Sequence, residues 1–181
     1  MEKKIALVGN PNVGKSVIFS HLTGKYVTVS NYPGTTVELS RGKGLLGITK
    51  VDIIDTPGSN SLIPMSEDEE VTRDVLISGE IDYVIQVGDE KNLQRALMIS
   101  SELSELELPF TLVLNMADEA RRKGLVIDIE KLSKILGVPV VETVAVEGKG
   151  ISKMKKSILN SSLSHLRIDY GKLENTVEKL A

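Results

Sequence analysis

The 181-residue chain has no cysteine and no tryptophan, and only 3% of its residues are aromatic. Without cysteine there is no disulfide framework, no thiolate nucleophile and no thiolate metal ligand. The two histidines, His21 and His165, stand far apart in sequence, which argues against a zinc site. So few rings exclude a platform on which nucleic-acid bases could stack. Excess charge of one sign is lacking as well. Lys plus Arg is 22 and Asp plus Glu is 25, a net of −3. Such a balance does not build a surface that coats nucleic acid or anionic lipid. No run approaches the roughly 20 apolar residues of a membrane span. Met1 to Lys4 leads straight into a short apolar run, with no signal-peptide core. The 41% hydrophobic and 26% charged content is that of a soluble globule with one domain and a small remainder.

Apolar runs alternate with capping signals along the chain. Ile5 to Val8, Val37 to Leu46, Ile48 to Ile54, Ile81 to Val87, Phe110 to Leu114 and Val138 to Val141 read as strands. Helices are predicted over Lys15 to Leu22, from a Ser66-x-x-Glu69 capping box to Ser78, and over Asn92 to Leu106. Two more run from an Asp128 cap to Leu136, closed by Gly137, and over Ile151 to Leu163. Alternating strands and helices imply an α/β fold of three layers. The expectation is a mostly parallel sheet of about six strands with helices on both faces. Ligands of such sheets sit at the carboxyl ends of the strands. Residues 1–162 are expected to form this domain, and residues 163–181 the start of a helical extension.

Three motifs fall at those strand ends. Gly9-Asn10-Pro11-Asn12-Val13-Gly14-Lys15-Ser16 fits the phosphate-loop pattern G-x-x-x-x-G-K-[ST] without mismatch. Converging backbone N–H groups at a helix N-terminus favour an anion there. Asn10, Asn12, Val13, Gly14, Lys15, Ser16 and Val17 would cradle the phosphates, with Lys15 as the point charge and Ser16 offering a hydroxyl to Mg²⁺. Asp55-Thr56-Pro57-Gly58 follows a strand; Asp55 suits an Mg²⁺-holding carboxylate, and the Gly58 N–H a γ-phosphate. Asn115-Met116-Ala117-Asp118 comes third. The Asp118 carboxylate can accept from both N1–H and the exocyclic amine of guanine, and adenine lacks both donors. Val144 and Ala145, after the last strand, would form the loop that meets the guanine carbonyl through the Ala145 N–H.

The four segments in this order resemble a Ras-like P-loop GTPase. Asn31-Tyr32-Pro33-Gly34-Thr35-Thr36-Val37-Glu38 is similar to the first switch of the ferrous iron transport protein B family. So are the stretch from Ser66 through Asp68, Glu69, Arg73 and Asp74, the Asn92-Leu93-x-Arg95-x-Leu97 helix, and the run from Leu114 to Ala120. The resemblance implies GTP and GDP as ligands and catalytic roles for Lys15, Thr36 and Gly58. It also implies Mg²⁺ held by Ser16, Thr36 and Asp55. Asn12 matches the asparagine that coordinates K⁺ in potassium-stimulated members; a loop-bracing amide is the competing reading. It further implies a domain on the cytoplasmic face of the cell's inner membrane, whose partners are the helical and transmembrane parts of the same protein rather than nucleic acid.

The chain departs from the family pattern at Gly88-Asp89-Glu90, where V-D-A is usual, and at Val144 in the guanine loop. Ser59 occupies the place of the water-orienting glutamine, which predicts slow hydrolysis. Two other readings stay open: a ribosome-assembly or tRNA-modification type GTPase, and a nucleotide-dependent interaction module with little hydrolysis. A homo-oligomer stays open too.

Overall fold

A computed structural model of the chain describes residues 2–24 and 27–166. Its strands are β1 (Lys3–Gly9), β2 (Val27–Asn31), β3 (Glu38–Leu46), β4 (Thr49–Asp55), β5 (Tyr83–Asp89), β6 (Phe110–Asn115) and β7 (Val140–Glu142). The helices are α1 (Lys15–Leu22), α2 (Glu67–Ile77), α3 (Leu93–Glu105), α4 (Ala117–Arg122), α5 (Ile129–Leu136) and α6 (Ile151–Ile158). The sheet order is β2-β3-β4-β1-β5-β6-β7. From β4 to β7 all pairs are parallel; β2, β3 and β4 pair antiparallel.

The α/β architecture of the sequence reading is therefore present, with seven strands instead of about six. The added strand, β2, is exposed at all five positions. Its Val27-Thr28-Val29-Ser30 alternation is too short to stand out as a strand, and its pairing with β3 places it. Two cores flank the sheet. Ala6, Val8, Ile99, Leu112 and Leu114 pack on the side of α2, α3 and α5; Ile5, Leu7, Ile18, Val113 and Met154 pack on the side of α1 and α6. Neighbouring strand residues thus point to opposite faces, and both faces are covered.

Caps set several boundaries. Ser66 accepts from the Glu69 N–H at the start of α2, and Asp128 from the Lys131 N–H at the start of α5. Gly137, at φ 73°, ends α5 in the left-handed conformation. Three boundaries differ from expectation. Glu90–Asn92 forms a 3-10 turn before α3. The short α4 had no sequence signal, because six residues are too few to show a period. The last helix ends at Ile158 rather than Leu163. Residues 163–166, expected to open a helical extension, run as irregular chain on the domain: His165 N–H donates to the Leu136 carbonyl at 2.8 Å. Residues 167–181 lie outside the described residues. No helix among the described residues is long and apolar enough to cross a membrane.

Candidate functional site

β1 carries the chain to Gly9, and α1 leaves from Gly14. Two residues of the connecting loop, Asn12 (φ 63°) and Gly14 (φ 85°), adopt left-handed backbone conformations. A cleft of about 460 Å³ lies over this loop. It is lined by Asn10 to Asn12 and Gly14 to Val17, with Gly58 and Asp68 opposite. Loop, helix N-terminus and lysine thus meet where the sequence placed them. Gly58 comes so close to the loop that a Cβ there would stand 3.0 Å from the Pro11 Cα. Asp68 is a lining residue that the sequence reading placed in a family-like stretch but gave no site role, since an acidic run at the start of α2 is explained by the helix dipole alone.

The Lys15 ammonium bonds the Asp55 carboxylate and the Thr56 carbonyl. Both ends of the pair are nearly buried. Burial pushes the Asp55 carboxyl above its usual range, against the pull of the Lys15 ammonium. Asp55 ends β4, which runs parallel beside β1, and β1 leads through the loop to Lys15 at the start of α1; the two strands pair in register from Lys3 and Val51 to Leu7 and Asp55.

The expected residues differ in what their side chains hold, and Thr36 stands outside the cleft lining. Asn10 is buried and donates to the Ser59 carbonyl at 3.3 Å, so it braces the segment after Gly58. Asn12 is exposed, and its amide makes no hydrogen bond among the described residues. Thr36 is exposed, outside the cleft lining, and its hydroxyl donates to Glu67 on α2 at 3.3 Å. Ser59 is fully buried: its N–H donates to the Gly9 carbonyl and its hydroxyl meets that of Thr72 at 3.1 Å.

The third motif does more bracing than expected. Asn115, at the end of β6, donates to the Val13 carbonyl at 2.9 Å; its Oδ1 accepts from the Thr143 hydroxyl and the Ala145 N–H, each at 3.0 Å. The Ala145 N–H assigned to guanine is therefore bonded to Asn115 here. His21 of α1 meets the Ala145 carbonyl at 2.8 Å, which its spacing in sequence did not reveal. Met116 takes φ 64° to start α4. Asp118 lies in the first turn of α4, paired with Arg122 at 2.6 Å. Val144 is buried and pairs with Lys149 through the backbone.

Comparison with known proteins places these features in a family. Residues 3–158 match the family described as ferrous iron transport protein B. A ferrous iron transport fusion protein of Porphyromonas gingivalis is 40% identical over 186 residues, which covers 98% of this chain and 22% of that protein. The cytosolic domain of the Thermotoga maritima FeoB iron transporter in a GDP form is 39% identical, with a TM-score of 0.88. That match covers 99% of this chain and 73% of the other. Its GMPPNP form is 39% identical with a TM-score of 0.87, covering 98% and 72%. The chain spans about a quarter or less of the length of the curated relatives it matches. With a phosphate loop, an Asp55-x-x-Gly58 segment and an Asn115-x-x-Asp118 segment joined at one end of a P-loop sheet, this chain belongs to the ferrous iron transport protein B family.

Proposed function

We propose that the chain is a GTP-binding and GTP-hydrolysing switch, and that its nucleotide state regulates ferrous iron passage through the membrane part of a longer protein. The convergence of Lys15, Ser16 and the loop N–H groups on one cleft, with Asn115 tying that loop to the base-reading segment, carries the reading. The guanine nucleotides of the Thermotoga maritima structures support it.

The chemistry follows from the residues. Lys15 exchanges the Asp55 and Thr56 oxygens for the β- and γ-phosphate oxygens. Asp118 accepts from the guanine edge as Arg122 swings aside. A hydroxyl on Ser16 and a carboxylate on Asp55 are hard oxygen donors and fit Mg²⁺; Thr36 joins them after leaving Glu67. Mg²⁺ bound by these residues would supply neutralisation of the phosphate charge. The unbonded Asn12 amide fits a K⁺ ligand beside the phosphates. Water attacks the γ-phosphorus, the bond to the β-γ bridging oxygen breaks, and GDP and phosphate leave. Because Ser59 is buried, its side chain does not orient that water, and turnover is slow.

Nucleotide titration and single-turnover hydrolysis in Na⁺ and in K⁺ test this reading. We expect GTP to be preferred over ATP by at least about a hundredfold, and hydrolysis to be faster in K⁺. ATP binding as tight as GTP overturns the base assignment. No turnover in either salt favours the interaction module.

A further inference from the structure

β5 ends at Asp89, and the next residue, Glu90, turns its side chain inward until it is 2% exposed. Its Oε2 meets no donor, the one such buried side-chain atom among the described residues. The carboxylate of Glu142, the last residue of β7, acts on it across the sheet end, where Gly88, Leu114 and Glu142 lie in one row. Two ionised carboxylates are acceptors only, so neither can satisfy the other. One proton on the pair turns a buried repulsion into an O–H···O bond and gives the orphaned oxygen a partner.

The pair sits under the base-reading corner. Glu142 takes Arg121 of α4 at 3.3 Å. Its neighbour Thr143 bonds Asn115. From the other side, Lys91 reaches Asp89 at 3.6 Å and Glu119 of α4 at 2.5 Å. These contacts join the Glu90–Asn92 turn, α4 with Asp118, and the Ala145 loop. We propose that Glu90 and Glu142 share a single proton, and that this carboxyl pair is the clasp that positions the base-reading corner for guanine. Glu90 is thus a positioning residue. The idea rests on the guanine-nucleotide reading above.

The charged groups around Glu90 are Glu142 on β7, Arg121 and Glu119 on α4, and Asp89 and Lys91 beside it. Burial first, and Glu142 next, push the Glu90 carboxyl up to about 7, while Arg121 pulls it down and Asp89 adds to the rise. The clasp is therefore closed on the acid side of neutrality. As pH rises it opens, because the buried Glu90 carboxylate then carries a negative charge beside that of Glu142.

The test is GDP affinity from pH 6.5 to 8.5 for the 181-residue chain, its Glu90→Gln variant and its Glu142→Gln variant. A neutral amide at either position supplies a permanent donor to the other side chain. We expect wild-type affinity to fall about tenfold relative to Glu90→Gln across this range, the effect of a one-unit difference in pKa between bound and free forms. Both variants stay flat once the ligand's own titration, common to all three proteins, is divided out. Affinity for inorganic triphosphate, which makes no base contact, keeps one pH profile in all three. Parallel GDP profiles for wild type and both variants overturn the clasp. Failure of all three to bind GDP at any pH overturns the guanine reading instead.

Discussion

Asn115 Nδ2 donates to the Val13 carbonyl at 2.9 Å, and the same nitrogen stands 2.4 Å from where a Cβ on Gly14 would be. The base-reading segment and the phosphate loop are thus one packed unit. Gly14 is required twice, by its φ of 85° and by this close approach. Gly14→Ala should displace Asn115 and cost about a hundredfold or more in nucleotide affinity, a loss of roughly 3 kcal/mol that titration calorimetry would read.

Asn115→Ala should act on the fold itself. It strands the buried Thr143 hydroxyl and the Ala145 N–H, which now share Oδ1. At about 1–3 kcal/mol per unsatisfied buried group, less what water recovers, the loss should be about 2–4 kcal/mol. Urea unfolding without nucleotide measures it; an unchanged midpoint would show that these bonds do not stabilise the apo fold.

Asp118→Asn should abolish the preference for GTP over ATP, because an amide presents a donor to one of the two guanine donors. Arg122→Ala, which only removes an exposed pair on the same helix, should change GTP affinity by less than about threefold. Competition binding with both nucleotides separates the two outcomes.

Glu102 of α3 accepts from the Ser61 hydroxyl at 2.6 Å and from the Leu62 N–H at 2.7 Å, so it ties down the stretch after Gly58. Glu69 of α2 adds bonds from the Asn60 and Met65 N–H groups. Glu102→Ala should speed amide exchange at residues 60–65 by about tenfold or more while α1 and β1 keep their protection. Equal exchange in both proteins would count against Glu102 as the tether.

Stability should also record the Glu90 proton. Its folded pKa, about 7, lies above the ordinary carboxyl value of 4.5. The native state therefore binds more protons between those values, and unfolding free energy falls as pH rises through them. Glu90→Gln removes this loss. It should match wild type near pH 4.5 and exceed it by about 1–2 kcal/mol at pH 8, or roughly 3–6 °C in melting temperature.

Some of this was legible in the residues and some was not. The start of α1 after Gly14, the Ser66 and Asp128 caps and the Gly137 stop stand where the sequence reading has them, because each is a local matter of backbone conformation and nearby N–H groups. The order of motifs along alternating strands and helices was enough for the fold class and the expected ligand. Strand β2 and helix α4 were not visible, both for want of length. Thr36 on Glu67, Asn10 on Ser59, and His21 on the Ala145 carbonyl were invisible for another reason. Each joins residues tens of positions apart or more, and a side chain's partner there depends on strand order.

The sequence by itself determined that this chain carries a phosphate-loop pattern, an Asp55-x-x-Gly58 segment and an Asn115-x-x-Asp118 segment, because short-range chemistry writes those into consecutive residues. Only the tertiary structure decided that Asn115 locks the cradle to the base loop and that Glu90 faces Glu142. Those encounters arise when β5, β6 and β7 come to lie side by side, and only then does burial act on the groups at their ends.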